Sequence, residues 1–226
     1  MKSQERNAPV VERFFHEGLA QLDITLPDHL VHQLVLYCLE LEKWNRKVNL
    51  VARNTSLRDL VEKHFLDSLA LIPVLREFDR LQGPLLDVGS GAGFPGLVVK
   101  TACPSIVTVL LEPRQKRAAF LKHIVRILSL GGIDVLAGRT EDMEGLSAYD
   151  FSVITGRAVA EVSGFIELVA RHASQQTLVI CMQGTTGRKK WQKKDRVNGF
   201  ECVGVRETIL PFSQVNRYFL IFKKIS

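Results

Sequence analysis

The stretch LLDVGSGAGFPG, residues 85–96, decides how this chain is read. Leu85, Leu86 and Val88 make a short apolar run suited to a buried parallel strand. The run ends in an acid and breaks into glycines at 89, 91, 93 and 96. Glycine lets a backbone turn tightly and come close to a ligand. A helix is expected over residues 95–103, with Pro95 near its first turn and its free N–H groups facing whatever the glycines cradle. A strand, a glycine turn and a helix in this order read as a cofactor-binding turn; a tight turn with no ligand is the bland alternative.

Two chemistries share the spacing. Gly91, Gly93 and Gly96 form G-x-G-x-x-G, and Glu112 closes the next apolar run about twenty residues on, as in the dinucleotide fingerprint of an NAD-dependent oxidoreductase. Read from Asp87, the same letters form D-x-G-x-G-x-G, the pattern of S-adenosylmethionine (SAM) methyltransferases. An acid two residues before the first glycine repels a pyrophosphate and attracts the ammonium of methionine. Glu112 is placed to accept hydrogen bonds from ribose hydroxyls in either class.

Outward from the turn, strand-like and helix-like runs alternate. Residues 106–111, 133–137, 151–155 and 178–182 read as strands, and residues 114–130 and 159–172 as helices. This predicts an α/β fold with a mostly parallel sheet covered on both faces, ligands lying beyond the carboxyl ends of its strands. Those ends carry Thr140, Glu141 and Asp142 after the third strand and Gly156-Arg157 after the fourth. Thr140 stands where an adenine ring could rest and Glu141 or Asp142 where its amino group could be met. Arg157 suits a bidentate hold on a carboxylate or phosphate, or a pairing with one of the loop acids. Two final runs, 201–210 and 214–224, predict an antiparallel edge, which favours a methyltransferase over a dehydrogenase.

Upstream, residues 8–22 carry Val11, Phe14, Phe15 and Leu19 at helical spacing. A second helix, capped by Asp28, has the stripe Leu30, Leu34, Cys38 and Leu41. Ser56 and Asp59 resemble a capping box opening a third. His64 and Asp67 share a helical face, as a catalytic pair or a local hydrogen bond. Gly83-Pro84 punctuates the chain, so residues 1–82 are expected to be a helical extension packed on a core formed by residues 83–226.

The chain has 226 residues, 46% hydrophobic and 24% charged, with a net charge of +6, an ordinary globular composition. The charge is uneven: residues 1–80 carry 11 basic and 12 acidic side chains, whereas residues 188–226 carry 10 and 3. That asymmetry predicts a polyanion met by one face. Its focus is GTTGRKKWQKKDRVN, residues 184–198, where Arg188, Lys189, Lys190, Lys193 and Lys194 flank Trp191. Basic side chains around an aromatic suit phosphate contacts and stacking on an unpaired base. Six more cations between 43 and 63 read as a solvated face before an RNA contact. The four cysteines lie far apart with no C-x-x-C pair, so neither a disulfide framework nor a metal site is expected. The N-terminus has no apolar run, and nowhere do about eighteen apolar residues follow one another, so a cytoplasmic protein without a membrane anchor is expected.

Four of these segments together resemble one family. DVGSGAGFPG, the upstream NLVARNTSLRDLVEKHFLDSL at 49–69, GRAVA at 156–160 and RYFLIFKK at 217–224 are similar to the small-subunit ribosomal RNA guanine-N7 methyltransferases, the glucose-inhibited division protein B family. The similarity runs from about residue 10 to residue 224. It implies a class I, Rossmann-like methyltransferase fold with an N-terminal helical cap, SAM as cofactor, and SAM contacts from Gly89, Phe94, Thr140, Glu141 and Arg157. The implied partner is small-subunit RNA or the 30S particle, with the enzyme a monomer. One departure is Gln183, which precedes Gly184 where the family commonly has a lysine. Guanine N7 already holds a free lone pair, so its methylation needs alignment more than a strong base. No catalytic residue is singled out, and no covalent intermediate is expected. An RNA-binding module without catalysis is the non-enzyme reading.

Overall fold

The computed structural model describes residues 2–140, 144–157, 161–185 and 191–225. Five parallel strands form the heart of the sheet: β1 (Leu85–Val88), β2 (Thr108–Leu111), β3 (Ile133–Leu136), β4 (Val153–Arg157) and β5 (Leu178–Gln183). They lie in the order β3-β2-β1-β4-β5, so the winding reverses between β1 and β4 and opens a crevice at their carboxyl ends. The antiparallel edge is three strands deep. β8 (Asn216–Lys224) pairs with β5, β7 (Phe200–Ile209) with β8, and the two-residue β6 (Arg196–Val197) with β7. The sequence predicts β7 and β8; β6 is too short to leave a periodic signal.

Side chains alternate across the sheet as the pleat requires. Leu85, Leu110, Val153, Ile180, Phe219 and Ile221 enter one core; Leu86, Val109, Ile154, Val179, Cys181, Leu220 and Phe222 enter the other. The second core is covered by α8 (Val162–Val169), which contributes Val162, Phe165, Ile166 and Val169. The first takes α6 (Gly96–Ala102), α7 (Gln115–Ile127) and the whole N-terminal set: α1 (Lys2–Gln21), α2 (Asp28–Asn45), α3 (Leu57–Leu60), a π-helical turn (Val61–Leu66), α4 (Asp67–Leu69) and α5 (Leu71–Glu77). Val11, Phe15, Leu34, Tyr37, Phe65 and Leu69 therefore share one apolar interior with Leu97, Phe120 and Leu121. Among these described residues no helix is long and apolar enough to cross a membrane.

Two local expectations meet different outcomes. Ser56 caps α3 by accepting the Asp59 N–H at 3.0 Å, half of the expected box. Asp28 does not cap α2: Pro27 occupies the N-cap with no side-chain bond, and Asp28 stands in the first turn, where its charge suits the helix dipole. α1 begins at Lys2, earlier than expected, because its polar first turns carry no apolar stripe to read.

Candidate active site

The turn after β1 is held by acids at both ends. Gly89 and Ser90 donate N–H bonds of 2.8 and 3.0 Å to the Leu111 carbonyl of β2. Glu112, only 2% exposed, accepts the Gly91 N–H at 2.8 Å and the Arg114 N–H at 2.8 Å, one on each carboxylate oxygen. Its first task is to fix the loop, and the second lone pair of each oxygen remains for a ligand hydroxyl. Asp87 is fully buried; Oδ2 accepts the Gly96 N–H at 2.9 Å, while Oδ1 has no partner among the described residues. Burial pushes its carboxyl up to about 6, with the Gly96 hydrogen bond and Arg157 pulling the other way. At Gly96 a Cβ would overlap Asp87, so the close approach of α6 to β1 requires glycine there. At Gly89, whose φ is +73°, a Cβ would meet nothing within 4 Å among the described residues, which leave the space over it open. A buried acceptor without a donor and an open cradle beside it fit a ligand that carries a cation, as SAM does.

Arg157, at the end of β4, holds a carboxylate, that of Asp67 from the N-terminal helices. Its guanidinium turns to the N-terminal helices: Nη1 donates to the Lys63 carbonyl at 2.8 Å and to Asp67 Oδ2 at 3.3 Å, and Nη2 to His64 Nδ1 at 3.0 Å. The loop acids Glu141 and Asp142, proposed as its partners from sequence, lie outside the described residues. His64 and Asp67 thus meet through Arg157, with no direct hydrogen bond between them. Asp67, 4% exposed, accepts a further bond of 3.0 Å from Arg217 Nε of β8. Burial pushes the His64 ring down to about 3, with Arg157 adding to the effect, so it stays neutral, its Nδ1 accepts and its proton sits on Nε2. His64 belongs to the π-helical turn, a local irregularity common at functional sites.

Phe94 joins the two halves. It is 3% exposed, stacks on His64 with centroids 5.0 Å apart, and carries the Arg157 guanidinium 4.9 Å above its ring. A cleft of about 390 Å³ opens beside this group, lined by Lys63, His64, Asp67, Arg157, Met182, Gln183, Gly184 and Arg217. Sequence reasoning did not single out Arg217, although the RYFLIFKK segment that begins with it was noted; an arginine opening an otherwise apolar strand was the available signal.

The remaining expected residues are placed as follows. Thr140 is buried, and its carbonyl accepts from Arg171 Nη2. Lys193 and Lys194 are exposed, whereas Arg188, Lys189 and Lys190 lie outside the described residues, as does Glu141. Trp191 is half-buried, edge-on to Phe222 at 5.1 Å and packed against the second core. Of the cations between 43 and 63, Lys43, Arg46 and Lys63 pair with Glu40, Glu42 and Asp59, and Arg58 lies over Phe212, the solvated-face pattern. Burial raises the Cys38, Cys103, Cys181 and Cys202 thiols, so none is an activated thiolate. Among the described residues no three His, Cys, Asp or Glu side chains cluster as metal ligands.

Known proteins agree with this architecture. Among solved structures, a point mutant of MtNAS in complex with S-adenosylmethionine superimposes with a TM-score of 0.58 over 99% of this chain and 92% of that one, at 17% identity, a likeness of fold alone. TrmN from Thermus thermophilus gives 0.52 over 73% of this chain and 53% of that one, at 14% identity. Sequence relatives are nearer: the ribosomal RNA small subunit methyltransferase G of Desulfotalea psychrophila is 39% identical over 217 residues, covering 93% of this chain and 98% of its own. The protein of the same name from Syntrophus aciditrophicus is 33% identical, covering 94% and 89%. Residues 30–218 match the profile of the GidB family, rRNA small subunit methyltransferase G. The fold is therefore that of a class I SAM methyltransferase, and the chain belongs to the rRNA small subunit methyltransferase G family.

Proposed function

We propose that this protein transfers the methyl group of SAM to N7 of a guanine in small-subunit ribosomal RNA. The observation that carries the reading is the cleft where Arg157, His64 and Arg217 gather beside Phe94, at the carboxyl ends of β4 and β5. Its volume suits a single nucleobase. Its polar side chains suit N7 chemistry too. Asp67 is occupied by two guanidiniums and the His64 Nδ1 lone pair by a third bond, so the cleft offers donors rather than a general base. Donors are what the Hoogsteen edge of guanine asks for at O6, and N7 needs no deprotonation. SAM, when bound, supplies an electrophilic methyl on its sulfonium.

In this reading Asp87 Oδ1 meets the ammonium, Gly89 and Gly91 make room for the methionine portion, and Glu112 receives the ribose hydroxyls. Thr140 and Glu141 meet the adenine, Phe94 borders the reacting groups, and Arg157 holds the cleft in shape. Residues 1–82 form a helical cover over the methyltransferase core, and Arg188, Lys189, Lys190, Lys193 and Lys194 contact RNA phosphates, with Trp191 beside them to stack on an unpaired base. The acceptor is the RNA or the assembled 30S particle, met in the cytoplasm by a monomer. Methyl transfer from radiolabelled SAM to purified small-subunit RNA, naked and assembled, tests the reading: label is expected at one guanine, and SAM binding without label on either substrate would refute it.

The Asp87 carboxyl predicts a pH dependence. Its ordinary value is 3.8 and in the fold it is about 6, so between these limits the folded protein holds a proton that the unfolded chain has lost. Below the window the burial penalty is absent; above it the carboxylate stands buried and ionised, ready for a cation. SAM affinity is therefore expected to fall as pH drops through 6, about tenfold between pH 7 and pH 5. Titrations across this range check it, and Asp87→Asn should flatten the profile at a weaker affinity.

A further inference from the structure

We propose that Tyr37 is a positioning residue for the cofactor loop, through which an N-terminal helix takes part in SAM binding. Tyr37 lies within α2 and is fully buried. Its hydroxyl donates to the carbonyl of Ala92, inside the glycine turn and 55 residues downstream. The peptide unit joining Ala92 to Gly93 is thereby held at both ends, because the Gly93 N–H donates to the Ser90 carbonyl at 2.7 Å. Gly93 has φ +96°, and a Cβ there would overlap the Tyr37 hydroxyl, so glycine and phenol occupy complementary space. The Tyr37 ring is parallel to Phe94, with centroids 6.1 Å apart, and edge-on to Phe65 at 4.9 Å. Phe94 is the ring over which Arg157 rests. One side chain of α2 thus sets the orientation of a loop peptide and backs the aromatic that borders the cleft.

Packing alone does not account for a tyrosine here. Phenylalanine would fill the same core space, and a buried hydroxyl is tolerated only with a partner. Burial also raises the phenol well above its ordinary range, so the group remains a proton donor at every working pH. What the hydroxyl adds is preorganisation: the loop is in its binding shape before SAM arrives, and binding does not have to order it.

The inference rests on the SAM reading above, and the test separates the two. SAM binding is measured by equilibrium titration, with melting temperature in parallel, for the full-length protein, Tyr37→Phe and Val35→Ala. Val35 is a buried residue of the same helix and the same core that touches no loop peptide in the hydrogen-bond pattern. Tyr37→Phe is expected to weaken SAM about tenfold, the size of one lost buried hydrogen bond. At saturating SAM, kcat should stay within about twofold. Val35→Ala should lower the melting temperature at least as much and leave SAM affinity unchanged. The proposal is overturned if Tyr37→Phe binds SAM like the parent, or if Val35→Ala loses affinity in proportion to its loss of stability. If the parent protein itself binds no SAM, the SAM reading fails instead.

Discussion

Gly89→Asp is expected to fold and to lose SAM binding by at least about a hundredfold, close to 3 kcal/mol. Both halves of the result follow from one position. Gly89 closes β1 with φ +73°, where a Cβ costs about 1–2 kcal/mol, and Asp is among the few side chains that tolerate this region. Among the described residues, no atom beyond its two chain neighbours stands within 4 Å of the new Cβ, so none of the described core must move. The same open space is where we propose that the methionine portion of the cofactor lies, and a carboxylate projecting into it would block that portion by volume. Circular dichroism and a thermal melt check the fold, and a SAM titration the site. A variant that binds SAM normally would put the cofactor elsewhere.

Removal of the Arg157 guanidinium has the second large effect, and it acts on stability and turnover together. Arg157→Ala leaves the Lys63 carbonyl, Asp67 Oδ2 and His64 Nδ1 without their donor and takes the cation off the Phe94 ring. Asp67 stays beside Arg217, so the loss is smaller than for a carboxylate left alone, about 3 kcal/mol in a urea unfolding curve. Methyl transfer is expected to fall at least about a hundredfold, because the cleft proposed for the guanine loses the guanidinium that holds Lys63, His64 and Asp67 in place. Arg157→Lys restores the charge without the planar fork, so it should recover part of the stability and little of the turnover. Turnover within about twofold of the parent in Arg157→Ala would remove this residue from the site.

Much of the fold was legible because its signals are local. Asp87 and the glycines at 89, 91, 93 and 96 lie within ten residues, and the strand and helix runs differ in period, so the alternation that makes β1 to β5 a parallel sheet could be read along the chain. Glu112 and Thr140 could be located for a related reason: in a parallel sheet, loop residues after strands gather at one edge. The antiparallel edge was partly legible, with β6 missed at two residues. Tyr37 went unnoticed beside the stripe of Leu34, Cys38 and Leu41, although a hydroxyl on an apolar helix face was a sign that a partner waited across the core.

What the sequence by itself determined is the order of most elements and the glycine turn, since these rest on spacing between near neighbours, and, through the resemblance of four segments to one family, the class of chemistry. What only the tertiary structure decided is which charges meet. Asp67 binds Arg157 and Arg217 across separations of 90 and 150 residues, and Phe94 lies between residues from α2, the π-helical turn and β4. Such partners are chosen by strand order and by the seating of helices on one face of the sheet. In a buried, low-dielectric cleft that choice is a strong one, because each charge must find its counterpart there or leave its burial uncompensated.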